Sequence, residues 1–453
     1  MTCFEKSVLR LKTKSLQRKY DTFALAERQG ENGVFSLDLA NNCELSKDGA
    51  RVGVGVSAFT LASGQSVPFD WSLSTPKAFF YHGEKFGFLS DENKVYFYDE
   101  STRKFLLAHT FDGEMTAVEA QDRNGEYHLC FVGEAGVYFY EGETEMVLLS
   151  QNSFLPLACV FQGRIFTASA NAIAFSAPFQ AGDFAQSIDD GGNIVFPANT
   201  GEVVSVAATS TAVFFFCQYG IWKLTAAGSA RDFRLESVGF TGGEILRGSA
   251  CAVASSKGEK IFFFTESGVF RLDDSGVESI CRNLALPLKR EGQVCEHAPL
   301  DGQVFYSYRA LDQSVRGVVI DVETEKAYHA FTAEGVCKLR GDAVAVVDGL
   351  VYVIKKGAPL PTWRIAELIA EKTDFQLSGR KTLKSLRVLG EGQITLSLRC
   401  GRKTKTFTLQ PQNGEIKVDV KMKGEYFRVR FVLTENARLR GLEAELCALV
   451  GVE

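Results

Sequence analysis

The sequence predicts an all-β protein: a six- or seven-bladed β-propeller followed by a small antiparallel β-sandwich. Three observations carry this. One short phrase recurs along the chain, made of an apolar β-run, a Gly turn and a second β-run bearing an aromatic. The 453 residues include 36 Phe and 42 Gly against 10 Pro and 4 Met, which suits half-buried pleated surfaces joined by tight turns. Helical periodicity is almost missing before residue 360.

The phrase can be followed copy by copy. It reads FFYHGEKFGFLSDENKVYFYD from Phe79, YHLCFVGEAGVYFYE from Tyr127 and CVFQGRIFTASANAIAFSAP from Cys159. VFFFCQYGIWKL from Val213 and IFFFTESGVFRLD from Ile261 are near-copies of one hairpin. A looser copy begins at Val304, and AVAVVDGLVYVIKK ends at Lys356. In the first five copies, Val95, Val137, Ile173, Ile221 and Val269 open the second run and lie 42, 36, 48 and 48 residues apart. That is close to the ~40–50-residue period of a four-stranded propeller blade. Several runs are apolar throughout, as expected of sheets buried on both faces by their neighbours.

These readings divide the chain at predicted boundaries. Residues 1–60 form an N-terminal lead-in segment packing on the propeller, and residues 61–358 form the propeller. Residues 359–372 form a short helical linker, built on WRIAELIAEK from Trp363 to Lys372 with Thr362 as its N-cap. Residues 373–453 form the sandwich, with six alternating segments from LKSLRVL to LRGLEAELCAL.

Composition narrows the function classes. No apolar run approaches the ~18 residues of a membrane-spanning helix, so no membrane insertion is expected. The basic N-terminus MTCFEKSVLRLKTKSLQRKY lacks the apolar core of a secretory signal. The 11 Cys are scattered without a CxxC pair and read as small buried hydrophobes in a reducing compartment. From Pro361 to Glu453 the chain carries 17 Lys+Arg and 11 Asp+Glu. This net +6 piece follows a body of net −11, so the two ends face different partners.

The search for chemistry yields little. His82, His109, His128, His297 and His329 show no metal-ligand spacing. Asp189-Asp190-Gly191-Gly192-Asn193 lacks the alternation and closing Glu of a calcium loop and reads as a turn. Gly53-Val54-Gly55 and Thr241-Gly242-Gly243-Glu244 are not phosphate loops, and no nucleophile elbow occurs. No catalytic residue, cofactor or metal is expected. One basic group, Arg380, Lys381, Lys384, Arg387, Arg402, Lys403 and Lys405, is a candidate interface or phosphate-facing patch. The competing reading is a solvated sheet face that keeps edge strands from pairing.

The ordered phrases between Phe175 and Phe270 resemble the propeller-bearing tail proteins of tailed bacteriophages, of the tail nozzle or tubular and packaged-DNA stabilisation type. The matching stretches are Phe175-Ser176-Ala177-Pro178, Gly182-Asp183, Gly201-Glu202-Val203-Val204 and Gly220-Ile221-Trp222-Lys223-Leu224. Phe233 to Val238, Gly243 to Ser249 and Phe262 to Phe270 follow in order. Near the N-terminus, Leu37 to Asn42 and Asp48 to Gly53 are similar to that group's opening segment. Gly242-Gly243-Glu244 departs from the group's polar-Gly loop. The resemblance implies a non-enzymatic virion structural protein in a tail or head–tail assembly. It implies a sixfold homo-oligomeric ring about the DNA channel, with portal, adaptor or tail partners and transient contact with viral DNA. Two other expectations stand beside it: a receptor- or carbohydrate-binding tail propeller, and a propeller glycoside hydrolase.

Overall fold

The structure is a computed structural model. It describes residues 12–20, 22–25, 34–46, 48–141, 145–186, 190–197, 200–240, 242–281, 295–361 and 364–450. The chain divides into two compact units. One comprises Gly55–Ala327 and Phe331–Pro361; the other comprises Met1–Val54, Tyr328–Ala330 and Thr362–Glu453.

The first unit is a seven-bladed β-propeller. Five antiparallel four-stranded sheets follow one another, opening with Pro76–His82, Met115–Gln121, Ala158–Phe161, Val203–Ala208 and Cys251–Ser255. Blade 6 contributes Glu296–Leu300, Gln303–Arg309 and Val315–Asp321 to this unit. Blade 7 runs Glu334–Leu339, Asp342–Val347 and Leu350–Lys356, and Val54–Ala58 adds its fourth strand. The first strand of each blade lies beside the first strand of the next, and Glu334–Leu339 lies beside Pro76–His82, closing the circle. Each of the seven recurring phrases takes in the second and third strands of one blade.

The wholly apolar runs follow from this stacking. In Val213–Cys217 all five residues are buried. Val213, Phe215 and Cys217 pack with Phe166, Ile173 and Phe175 of blade 3. Phe214 and Phe216 point the other way, to Ile261, Phe263 and Leu272 of blade 5. Alternate side chains leave opposite faces of a strand, so a sheet sandwiched between two sheets has no face for polar residues. Blade 7 packs on blade 1 in the same way, through Val344, Val346 and Val351 against Phe79, Phe86 and Phe88.

The second unit holds the predicted sandwich strands in two sheets. One runs Glu415–Gly424, Lys381–Glu391, Arg438–Val450, Gly49–Val52, Cys43–Ser46, with Lys12–Tyr20 also antiparallel to Arg438–Val450. The other runs Leu39–Asn41, Ala366–Thr373, Phe427–Leu433, Ile394–Cys400, Lys403–Leu409. Residues 1–54 thus belong with the C-terminal strands, not to a separate lead-in segment, and the expected boundary at residue 60 moves to Val54.

The helical linker is also corrected. Ala366–Thr373 is a β-strand, and Thr362 and Trp363 lie outside the described residues. The strand pairs with Phe427–Leu433 on one side and Leu39–Asn41 on the other. Glu367 and Glu371 meet Arg430 at 2.7 Å and Arg428 at 2.8 Å. A spacing of four puts residues on one face in a strand as well as in a helix, and tertiary pairing overrides the modest helix propensity of Ala, Glu and Leu.

Candidate functional site

The first strands of the blades line an axial cavity of about 830 Å³. Its charged groups come from those strands and from the loops that precede them. Arg247, just before blade 5, donates from Nη2 to Glu114 Oε2, just before blade 2, at 2.8 Å. The two blades are not neighbours in the ring, so this ion pair spans the axis. Loop contacts hold both ends: the Cys295 amide donates to the Arg247 carbonyl, and the Glu114 amide donates to Glu134 Oε2 at 3.0 Å. Both side chains keep over a third of their surface exposed, so the pair adds at most about 1 kcal/mol.

Lys77 enters the same cavity and donates to Asn93 Oδ1 at 3.3 Å. Burial lowers its ammonium pKa, the Glu114 carboxylate opposes that shift, and Arg247 adds to it. Glu296 opens the inner strand of blade 6, and its Oε2 accepts the Val336 amide at 3.0 Å. Burial pushes the carboxyl up to about 8 despite that hydrogen bond. His297 beside it is pushed down to about 4, again by burial. Its Nδ1 is buried with no hydrogen-bond partner. The sequence names Arg247 only within a resemblance phrase and His297 only as a lone histidine, and it does not connect any of these five residues; only the ring brings them together.

The predicted basic patch is divided. Lys381, Lys384 and Arg387 lie on Lys381–Glu391 in one sheet, while Lys403 and Lys405 lie on Lys403–Leu409, the edge of the other. Lys381 is 1% exposed and donates to the Leu377 carbonyl; burial lowers its ammonium pKa. Lys384 sits 3.6 Å from Glu445, and Arg387 lies 3.3 Å from Glu415 and 3.6 Å from Glu443. These charges form a ladder with the carboxylates of adjacent strands rather than a basic face. Lys405 donates to the Val420 carbonyl at 2.7 Å. Arg380, Arg402 and Lys403 are exposed, and the last two stand at an edge strand, where charge hinders pairing with another chain.

The predicted turn at Asp189 lies partly outside the described residues. Asp190 accepts Arg164 Nη1 through its carbonyl at 2.7 Å, and Gly192–Val195 is the outer strand of blade 3. Asp122, Glu126 and His128 bring potential metal-ligating atoms within 4.8 Å of one another. Asp122 Oδ1 is already committed to capping the hairpin turn, accepting the Asn124 and Glu126 amides at 2.9 and 2.8 Å. The ten described cysteines are free thiols, and burial raises most of them, Cys130 and Cys251 to about 12.

No protein-family model matches the chain, and no curated protein matches it. Similar solved structures are β-propellers. Virginiamycin B lyase from Staphylococcus aureus aligns at 10% identity and TM-score 0.45, over 64% of this chain and 98% of that one. The structure of U3-55K aligns at 9% identity and TM-score 0.42, over 66% of this chain and 100% of that one. The WD40 propeller domain of Doa1 aligns at 13% identity and TM-score 0.36, over 55% of this chain and 95% of that one. No activity carries over at these identities, and the propeller assignment rests on the strand pairing described above.

Proposed function

We propose that this chain is a non-enzymatic structural protein of a phage or prophage particle, one copy of a ring in a tail or head–tail assembly. One observation supports the reading most: the phrases that carry the resemblance are pieces of framework. Ser176 Oγ accepts the Ile165 amide at 2.9 Å and donates to the Ala177 carbonyl. Ser249 does the same work two blades on, accepting the Phe264 amide at 3.1 Å and donating to the Leu246 carbonyl. Trp222 Nε1 donates to Thr200 Oγ1 at 3.0 Å, and Arg247 spans the axis. A pattern of this kind preserves a rigid closed platform, and such platforms suit symmetric assembly. With its axis bridged by Arg247 and Glu114, a single propeller offers no passage to a duplex. In this reading the DNA path runs between copies.

The test is electron microscopy of the purified chain with its neighbouring gene products, together with immunolabelling of particles. Closed rings of about six copies, with label at the tail or head–tail junction, are expected. A chain that stays monomeric at high concentration with those partners, and particles without label, would remove the proposal.

A further inference from the structure

Blades 1, 2 and 3 line a second cavity, about 610 Å³. Its walls are aromatic. The His82 ring lies 5.1 Å from the Tyr140 ring, and His128 meets Phe139 edge-on at 5.7 Å. Phe179 closes one side with 40% of its surface exposed. Its φ is +59°, a left-handed conformation that costs a bulky residue about 1–3 kcal/mol. Its amide donates to the Gly163 carbonyl at 2.6 Å, and its ring rests where a Cβ on Gly163 would meet it at 2.6 Å. The chain thus holds a large ring at the surface in a strained backbone, on a residue that must be glycine to make room.

The charge around this cavity has one sign. Asp122 and Glu141 line it, and no Lys or Arg does among the described residues. Burial acts to raise the Asp122 carboxyl, but the Glu126 amide, His128 and the Asn124 amide outweigh it and hold the group below its ordinary value. Its Oδ2 faces His128 Nε2 at 3.4 Å. Glu141 stands directly opposite Glu145 on the paired strand, an arrangement of like charges that destabilises a sheet. Neither glutamate forms an ion pair among the described residues.

We propose that this cavity binds the ammonium or guanidinium end of a cationic ligand. The aromatic rings pack on the aliphatic stem and face the charge, and the Asp122 and Glu141 carboxylates accept its N–H groups. The same chemistry is offered by a Lys or Arg side chain of a polypeptide partner and by a free amine.

The full chain is titrated by calorimetry with n-butylammonium, n-butylguanidinium, n-butanol and butyrate, while NMR follows the His82 and His128 ring signals. The two cations should shift both histidines and bind at least about tenfold more tightly than butanol or butyrate. Asp122→Asn keeps an oxygen for the two turn amides, so the hairpin should stand while affinity for the cations falls about tenfold. Phe179→Ala should cost a similar factor, and Glu141→Gln, at an exposed position, about threefold. A Lys-bearing peptide binding more tightly than spermidine would assign a polypeptide source; the reverse order would assign a free polyamine. Equal binding of cations and butanol, or none by the folded chain, overturns the proposal. Tighter binding of methyl glycosides than of the cations overturns it in favour of a saccharide. So does Zn²⁺ binding at His128 that excludes butylammonium and ignores Phe179→Ala, in favour of a metal.

Discussion

Glu296 and His297 are neighbours on the inner strand of blade 6, and burial pushes both toward their neutral forms. The Glu296 carboxyl rises from 4.5 to about 8, so folding favours it protonated. Its contribution is complete below pH 4.5 and is lost as pH rises toward 8. The His297 imidazole falls from 6.5 to about 4, so folding favours it unprotonated. That contribution is complete above pH 6.5 and is lost as pH falls toward 4. The two effects cancel between pH 4.5 and 6.5, so the propeller should be most stable at about pH 5–6. Glu296→Gln keeps an acceptor for the Val336 amide and removes the ionisation. Thermal melts should find the variant more stable than the parent by up to about 4 kcal/mol at about pH 8 and equal to it below about pH 4.5. A difference that does not change with pH would contradict the assignment. None of this was legible in the sequence, where Glu296 and His297 sit in an ordinary short strand. The basic group at Arg380 to Lys405 was legible as charge but not as arrangement. Its partners Glu415, Glu443 and Glu445 come from strands remote in sequence, and the burial of Lys381 depends on the turn at Leu377.

At the scale of elements, the strands were the most legible part. Val213–Cys217 and Gly258–Thr265 announce themselves by apolar runs too short for buried helices and bounded by turn residues. Ala366–Thr373 was misread because its two glutamates, four apart, fit either period. The strand least visible in the sequence is Val54–Ala58. It contains three small residues, precedes the first repeat and finds its partner Leu350–Lys356 at the far end of the propeller. Its seat is narrow: the Val56 amide donates to the Pro359 carbonyl at 2.8 Å, and a Cβ on Gly55 would stand 2.1 Å from the Ala358 carbonyl oxygen. Gly55→Val should force this strand away from its partner. The expected loss is about 2–4 kcal/mol, with faster amide exchange in Leu350–Lys356 than in blades 3 to 5. Uniform exchange across all blades would show that the strand does not close the ring.

The whole ring is held by contacts between blades, and most are apolar. One joint is ionic. Between blades 5 and 6, Glu325 Oε1 accepts Lys260 Nζ at 2.8 Å and Arg271 Nη1 at 2.9 Å. Arg271 also meets Asp273 at 3.1 Å and Glu278 at 2.8 Å. Lys260 and Arg271 side chains are only 8% and 14% exposed. Glu325→Gln would leave two largely buried cations without their shared counter-charge, at a cost of about 2–3 kcal/mol. Because the blades share their cores, that loss should appear as one lowered transition for the propeller in chemical denaturation. A separate early transition would mean that blades 5 and 6 part on their own. At this scale the repeat period implied six or seven blades and the ring has seven. What the period left out was the link between the N-terminal residues and the C-terminal strands, because no repeat marks it.

The closing strand also sets the order of events during synthesis. Val54–Ala58 leaves the ribosome before any blade, yet its partner follows about 300 residues later, roughly 15–60 s at ordinary elongation rates. For that interval an unpaired strand edge waits while five or six sheets assemble beside it, each with an outer face that a stray strand can extend. A nascent copy can then accept a neighbour's Val54–Ala58 in place of its own, and crowding on one message raises the chance of that exchange against the advantage of the tethered strand. Completion of the last blade is the step that separates a self-contained ring from a linked pair.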